Sequence, residues 1–348
     1  MDQNKVILSV KDLNVKFNLR GKVLHAIRGV NLDVYRGESL AIVGESGCGK
    51  SVLNKNFIGL LDPNGFISAG EITYYGMDDG TPQTFSSYKE KEWLKIRGKE
   101  VSMIMQDPMT SLNPLKTIGK QIGEAVEKHQ HLKGAALKEA VLQILRDVGI
   151  EDPERRYKQY PHEFSGGMRQ RVVIAIAVAC KPKILICDEP TTALDVTIQA
   201  QILQLLKELK ERLQLTIIFI THDLGVVANI ADRVAVMYAG DIVEIGMVRE
   251  VFYDPRHPYT WALLSSLPQL GIKGQDLYSI QGTPPNLFNT VVGDAFAPRN
   301  PQALAIDFEE RPPFFDISPT HKARTWLLDP RAPKVDPPEC LKNIQPSL

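Results

Sequence analysis

A chain of 348 residues, 43% hydrophobic and 24% charged, is long enough for one large domain with an appendage and has an ordinary globular composition. Lysine plus arginine matches aspartate plus glutamate at 41 each, which excludes a nucleic-acid binder acting through a broad basic surface. No apolar run reaches the roughly 20 residues that span a bilayer, and the start MDQNKVILSV lacks the charged, apolar and cleavage regions of a signal peptide, so the cytosol is the expected compartment.

In chain order, residues 7–17 and 25–34 read as alternating, half-buried strands, and SLAIVG at 39–44 as an apolar central strand ending on glycine. The loop GESGCGKS follows at once. Its glycines let backbone N–H groups turn inward on a phosphate, Lys50 reaches the β and γ oxygens, and the Ser51 hydroxyl is a candidate Mg²⁺ ligand at a helix start. The candidate phosphate-binding stretch is therefore Gly44, Glu45, Ser46, Gly47, Cys48, Gly49, Lys50, Ser51 and Val52. MIMQDP comes next, after the apolar run 101–105; Gln106 is either an amide for Mg²⁺ and water or part of a surface turn. From Asp107 to about His162 amphipathic helical segments are separated by glycine and proline, as in a helical insertion.

FSGGMRQR then opens another helix. Ser165 can cap it, leaving the free N–H groups of Gly166 and Gly167 aimed at an anion, although the chain already owns a phosphate cradle. The apolar strand KILICD at 183–188 delivers Asp188 to its carboxyl end, where it can hold Mg²⁺ through water. The adjacent Glu189 can polarise an attacking water. A long helix at 197–213 and an apolar strand at 216–223 lead to His222, which is either a γ-phosphate contact or a structural histidine at a strand end. Strands alternating with helices imply a largely parallel sheet covered on both faces. After about Pro268 prolines crowd the text, as in a small loop-rich appendix. Cysteines 48, 180, 187 and 340 have neither CxxC spacing nor a disulfide framework and read as free thiols.

GESGCGKS, the glutamine of MIMQDP, FSGGM, ILICDEP, TALD and ITHD, in that order over about 6–260, resemble the ATP-binding subunits of ABC transporters. QDPMTSLNP, YPHEFSGGMRQR, DEPTTALDVTIQAQIL, HDLGVVA, VMYAGDIVE, DPRHPYT and GTPPNL are similar to the D-type ATPase of oligopeptide and dipeptide importers. The resemblance implies an α/β fold. Its parts are a RecA-like P-loop core with an N-terminal antiparallel β subdomain, an α-helical insertion at about 107–165, and a small proline-rich extension at 266–348 beyond a nucleotide-binding domain at 1–265.

It also implies roles. Phe17 would stack on adenine, the loop from Gly44 to Ser51 would hold ATP and Mg²⁺, and Gln106 would sense the γ-phosphate. Asp188 would be the Walker B acid, Glu189 the general base, Asp195 the D-loop contact and His222 the switch histidine. Ser165, Gly166, Gly167 and Met168 would serve the ATP of a partner subunit, with Met168 standing where glutamine is usual. The implied partners are a second, F-type ATPase, two membrane permeases and an extracellular peptide-binding protein, with this chain on the cytoplasmic face of the membrane.

Many members carry tail cysteines that hold an iron–sulfur cluster. Here GDAFAPRNP has Ala295 and Asn300 in their place, and Cys340 alone cannot supply a four-thiolate site, so no cluster is expected. A soluble ABC ATPase acting on nucleic acid or ribosomes would need coiled-coil heptads, zinc cysteines or tandem cassettes, so no nucleic-acid partner is expected. A regulatory module without catalysis would have lost Glu189 or His222. Import of dipeptides, nickel or another small solute remains open, because solute choice resides in other subunits.

Overall fold

The computed structural model describes residues 5–192, 194–267 and 280–342. Among the described residues twelve strands form two sheets: β1 (Val6–Leu19), β2 (Lys22–Tyr35), β3 (Ser39–Val43), β4 (Gly65–Tyr74), β5 (Gln83–Thr84), β6 (Val101–Ile104), β7 (Ile184–Asp188), β8 (Thr216–Ile220), β9 (Arg233–Tyr238), β10 (Asp241–Met247), β11 (Phe315–Asp316) and β12 (Lys322–Ala323). The first sheet is antiparallel in the order β2-β1-β4-β5. The second runs β11-β12-β10-β9-β3-β8-β7-β6; its strands from β9 to β6 are parallel, and β10, β12 and β11 add an antiparallel edge.

Every residue of β3, β7, β8 and β9 is buried. That is why these segments are unbroken apolar runs rather than alternating ones: helices cover both faces of a parallel sheet. The helices are α1 (Lys50–Phe57), α2 (Glu90–Ile96), α3 (Pro108–Ser111), α4 (Ile118–Gln130), α5 (Gly134–Asp147), α6 (Pro153–Arg156), α7 (Gly166–Val178), α8 (Val196–Leu213), α9 (Leu224–Ile230), α10 (Val248–Tyr253), α11 (Pro258–Ser265) and α12 (Glu339–Lys342). α3 to α6 occupy the stretch expected to be a helical insertion, and Val126, Val141 and Leu145 of α4 and α5 share a core with Val172 of α7 and Ile202 of α8.

The strand expected at 216–223 stops at Ile220. Asp223 turns out of the sheet to cap α9, its Oδ1 accepting from the N–H groups of Gly225 (2.9 Å) and Val226 (3.3 Å), a backbone demand that outweighs strand continuation.

The tail is more tightly joined to the rest of the chain than a loop-rich appendix suggests. β11 and β12 extend the main sheet through β10. Phe296, 1% exposed, packs its ring against Tyr238 of β9 (centroids 5.3 Å apart) and Tyr259 of α11 (5.4 Å). Such aromatic contacts add to ordinary apolar burial. The composition change expected near Pro268 begins in 268–279, outside the described residues.

Candidate nucleotide site

The phosphate loop joins β3 to α1. At Gly44 a Cβ would lie 2.1 Å from the carbonyl oxygen of Met237, so only glycine lets the end of β3 pass so close to β9. Gly49, at φ 108°, sits in the left-handed region just before α1, which glycine alone adopts without cost. Lys50 is 7% exposed and reaches back across the loop, its Nζ donating to the carbonyls of Gly44 (2.7 Å) and Glu45 (2.9 Å). It also lies 3.9 Å from Cys48 Sγ; a buried ammonium with no carboxylate among these partners, at a helix N-terminus, is a strong anion attractor.

Ser51 donates from Oγ to Asp188 Oδ1 at 3.3 Å, bringing hydroxyl and carboxylate together at the carboxyl end of β7. Burial raises the Asp188 carboxyl pKa, opposed by the Ser51 hydrogen bond. This donor pair fits Mg²⁺, which takes one or two protein oxygens and completes its shell with water and phosphate.

Glu189 lies just beyond. Its backbone is left-handed at φ 47° and is held by its N–H donating to the Ile220 carbonyl at 3.0 Å. Such a conformation costs on the order of 1–3 kcal/mol and concentrates at functional sites. Here it turns the carboxylate towards three partners. Oε2 accepts from Gln106 Nε2 (2.9 Å) and Thr192 Oγ1 (3.0 Å), and Oε1 lies 3.1 Å from His222 Nδ1. Burial pushes the Glu189 pKa up, but the hydrogen bonds from His222 and Thr192 together with the charges of His222 and Lys50 outweigh it, so the net shift is downward and the group stays ionised. An ionised carboxylate aimed from a strand end is equipped to take a proton from water.

Lys50, Ser51, Gln106, Glu189, Thr192 and His222 share one cleft of about 1060 Å³, about the upper limit of the usual size for small-molecule sites. Ser46, Gly47, Gly49, Lys50, Ser51 and Val52 form one wall; Gln106, Glu189, Thr192 and His222 stand on another, and Phe17 also contributes. Phe17 is only 7% exposed, because its ring is pressed against the backbone at Gly65. Gly44, Glu45, Cys48 and Asp188 are not on the cleft wall. Glu45 turns its carboxylate to Arg299, with Arg299 Nη1 at 2.8 Å and Nη2 at 3.0 Å.

Cys48 points inward, 5% exposed, with burial raising its thiol pKa. Few thiolates are then available, so native protein should react with iodoacetamide far more slowly than unfolded protein, and ATP should slow the reaction further. Peptide mass mapping measures both rates; rapid labelling of the native chain would show that the thiol faces the nucleotide instead.

FSGGM is not part of this cleft. Ser165 caps the 13-residue α7, its Oγ accepting from the Met168 N–H at 3.4 Å, and Ser165 and Gly166 are exposed. Gly167 backs onto α8, where a Cβ would fall 2.7 Å from Cγ2 of Ile198. Asp195 caps α8, accepting from the Ile198 N–H at 3.0 Å. The two loops therefore meet at α7 and α8, away from the chain's own phosphate loop.

Reading the sequence missed four contributors. Thr192 bonds the base, Arg299 the phosphate loop, the hydroxyl of Tyr259 accepts from the Glu45 N–H at 2.8 Å, and residues 285–288 of the tail line the cleft. Thr192 carried a signal, lying three residues beyond the candidate base; the others come from distant sequence with no spacing rule to connect them.

In the tail segment GDAFAPRNP, Ala295 and Asn300 are buried, and Cys340 donates its thiol to Ser265 Oγ at 3.3 Å. Among the described residues no group of three or more His, Cys, Asp or Glu side chains could hold a metal ion. These residues do not fit an iron–sulfur cluster. Protein purified without oxygen should contain no stoichiometric iron or acid-labile sulfide; about four irons per chain would contradict this.

The ABC transporter family matches residues 27–192, and the oligopeptide/dipeptide transporter C-terminal region matches 243–306. The oligopeptide transport ATP-binding protein AmiE of Streptococcus pneumoniae is 58% identical over 99% of this chain and 96% of its own length. The dipeptide transport ATP-binding protein DppD of Lactococcus lactis is 57% identical over 95% and 93%. Among solved structures, the dimeric ATP-binding cassette MJ0796 in a post-hydrolysis state bound to ADP and Pi has a TM-score of 0.60 at 27% identity, covering 70% of this chain and 99% of that one. An ionised carboxylate beside a glycine loop at a helix start, with a second glycine loop outside that cleft, agrees with these matches along nearly the whole sequence: the chain belongs to the ATP-binding subunits of ABC transporters, in the oligopeptide/dipeptide family.

Proposed function

We propose that this ATPase powers peptide import as one of a head-to-tail pair whose second member is a distinct, F-type ATPase. The observation that carries the reading is the division of anion sites within the chain. Lys50, Ser51 and Glu189 share one cleft, while the Ser165 loop is exposed elsewhere and absent from its wall. One chain thus presents half of each of two sandwiched ATP sites.

Within its own half-site the glycine loop and Lys50 would bind the phosphates. Ser51, with Asp188 acting through water, and the amide of Gln106 would hold Mg²⁺, which neutralises charge on the β- and γ-phosphates. Glu189, fixed by Gln106, Thr192 and His222, would take a proton from the attacking water as it adds to the γ-phosphorus and ADP leaves. Residues 1–265 would form the nucleotide-binding domain and 266–348 its extension. Closure of the pair would pull on two permeases docked near α3–α6 and the Gln106 loop, where Leu115 is 86% exposed, at the cytoplasmic face of the membrane. An external binding protein would deliver the peptide. No helix among the described residues is long and apolar enough to cross a membrane, and the two permeases would supply that path.

The relatives named above are described as oligopeptide and dipeptide transport proteins alike, which favours short peptides over nickel. The test is purification of the tagged chain from detergent-solubilised membranes, with uptake of a labelled peptide by the same cells. Two permeases and a second ATPase should co-elute, and Lys50→Ala should abolish uptake. Isolation of the chain with ribosomes, or uptake unaffected by Lys50→Ala, would overturn the reading.

A further inference from the structure

The tail enters the nucleotide cleft. Pro285, Asn286, Leu287 and Phe288 stand on its wall together with Phe17, Leu19 and Leu24 of the β1–β2 hairpin. The segment is fixed in place. The Leu287 carbonyl accepts from the His25 N–H of β2 at 3.0 Å, and Asn286 closes a turn, its Oδ1 accepting from the Phe288 N–H at 3.0 Å.

Arg299 ties the start of this segment to the phosphate loop. Its side chain is 5% exposed; it donates from Nε to the Gln281 carbonyl (2.9 Å) and from both Nη atoms to Glu45. A bidentate, largely buried pair of this kind fixes geometry as well as adding energy. The phosphate loop and the 285–288 wall are thereby held in register.

Two aromatic rings face the cleft, and they differ in what they can offer. Phe17 is 7% exposed, its ring covered by the chain at Gly65, whereas Phe288 is 41% exposed. A base stacks on an open aromatic face, and Phe288 supplies one. We propose that Phe288, backed by Leu287, is the platform for the base of the nucleotide, so that the C-terminal extension is a working part of the ATP site. The inference rests on the ATPase reading above. Phe17 then supports the hairpin from beneath rather than bearing the stack alone.

The test compares two probes on the purified full chain by calorimetry: ATP, which carries a base, and inorganic tripolyphosphate, which does not. Phe288→Ala should weaken ATP binding by roughly 5- to 100-fold, the range for loss of one stacking partner, and leave tripolyphosphate affinity as in wild type; Phe288→Tyr should restore ATP affinity. Unchanged ATP affinity in Phe288→Ala would overturn the assignment. So would an equal loss of both probes, which would mean that the substitution disturbs the phosphate loop. Wild-type protein that binds neither probe would instead refute the ATPase reading on which the inference stands.

Discussion

Glu189→Gln should lower the single-turnover rate of ATP hydrolysis at this chain's site by roughly 10²- to 10⁴-fold, the usual worth of a general base, while ATP still binds. Glutamine keeps the length and shape of the side chain, so its carbonyl oxygen can go on accepting from Gln106 and Thr192, which now bond Oε2 at 2.9 and 3.0 Å. Basicity is what disappears. The wild-type group is held ionised because the His222 and Thr192 hydrogen bonds and the nearby His222 and Lys50 charges together outweigh the burial that opposes charge, and an amide has no equivalent state. Lys50 and Ser51, which would bind the phosphate end, are untouched, so the closed pair should accumulate with ATP trapped. The measurement needs the assembled pair with the partner's own base substituted, so that turnover reports this site alone. Undiminished hydrolysis there would remove Glu189 from the proposed role.

The parts of this site that follow one strand end were legible in the sequence, because each is a local event. An apolar strand, then glycines, then a lysine at a helix start can be read without knowing what lies opposite. Asp188 and Glu189 at the end of β7 are the same kind of signal. What local reading could not supply is the positive φ of Glu189, which turns its carboxylate to Gln106 from 83 residues away. Nor could it supply the burial of Cys48, whose sulfur would lie 2.9 Å from a Cβ at Gly44. In the fold, the parallel strands stood out because burial on both faces makes them uniformly apolar. The two-residue strands β11 and β12 carry no period to detect. The tail was the hardest to read, since its proline-rich text resembles a free appendix while its contacts, through Arg299, Phe296 and Leu287, are all long-range.

A bulky anion on the second glycine loop should do its damage in the other subunit. If the α7 N-terminus presents its free N–H groups to the partner's γ-phosphate, a carboxylate there repels the phosphate and blocks the approach of the backbone donors. Gly166 and Gly167 are not equivalent sites for this test. A Cβ at Gly167 would meet Cγ2 of Ile198 at 2.7 Å, so Gly167→Asp also strains the packing of α7 on α8. A Cβ at Gly166 meets nothing nearer than Cδ2 of Leu194 at 3.9 Å. Gly166→Asp is therefore the clean probe. It should cut hydrolysis at the partner's Walker site by about 10²-fold or more, as expected when preorganised donors to a developing anion are lost. Met168→Gln should be mild, since the Met168 N–H is bonded to Ser165 Oγ in either case and the free N–H groups of Gly166 and Gly167, not this side chain, would meet the phosphate. The isolated Gly166→Asp chain should bind ATP like wild type, because Ser165 to Met168 do not line its own cleft. Two measurements decide the matter: nucleotide affinity of the isolated variant, and ATPase activity of the complex with this chain's base replaced so that only the partner's site turns over. Loss of affinity in the isolated, folded variant would mean that the second loop serves the chain's own nucleotide, and the head-to-tail pair would have to be abandoned.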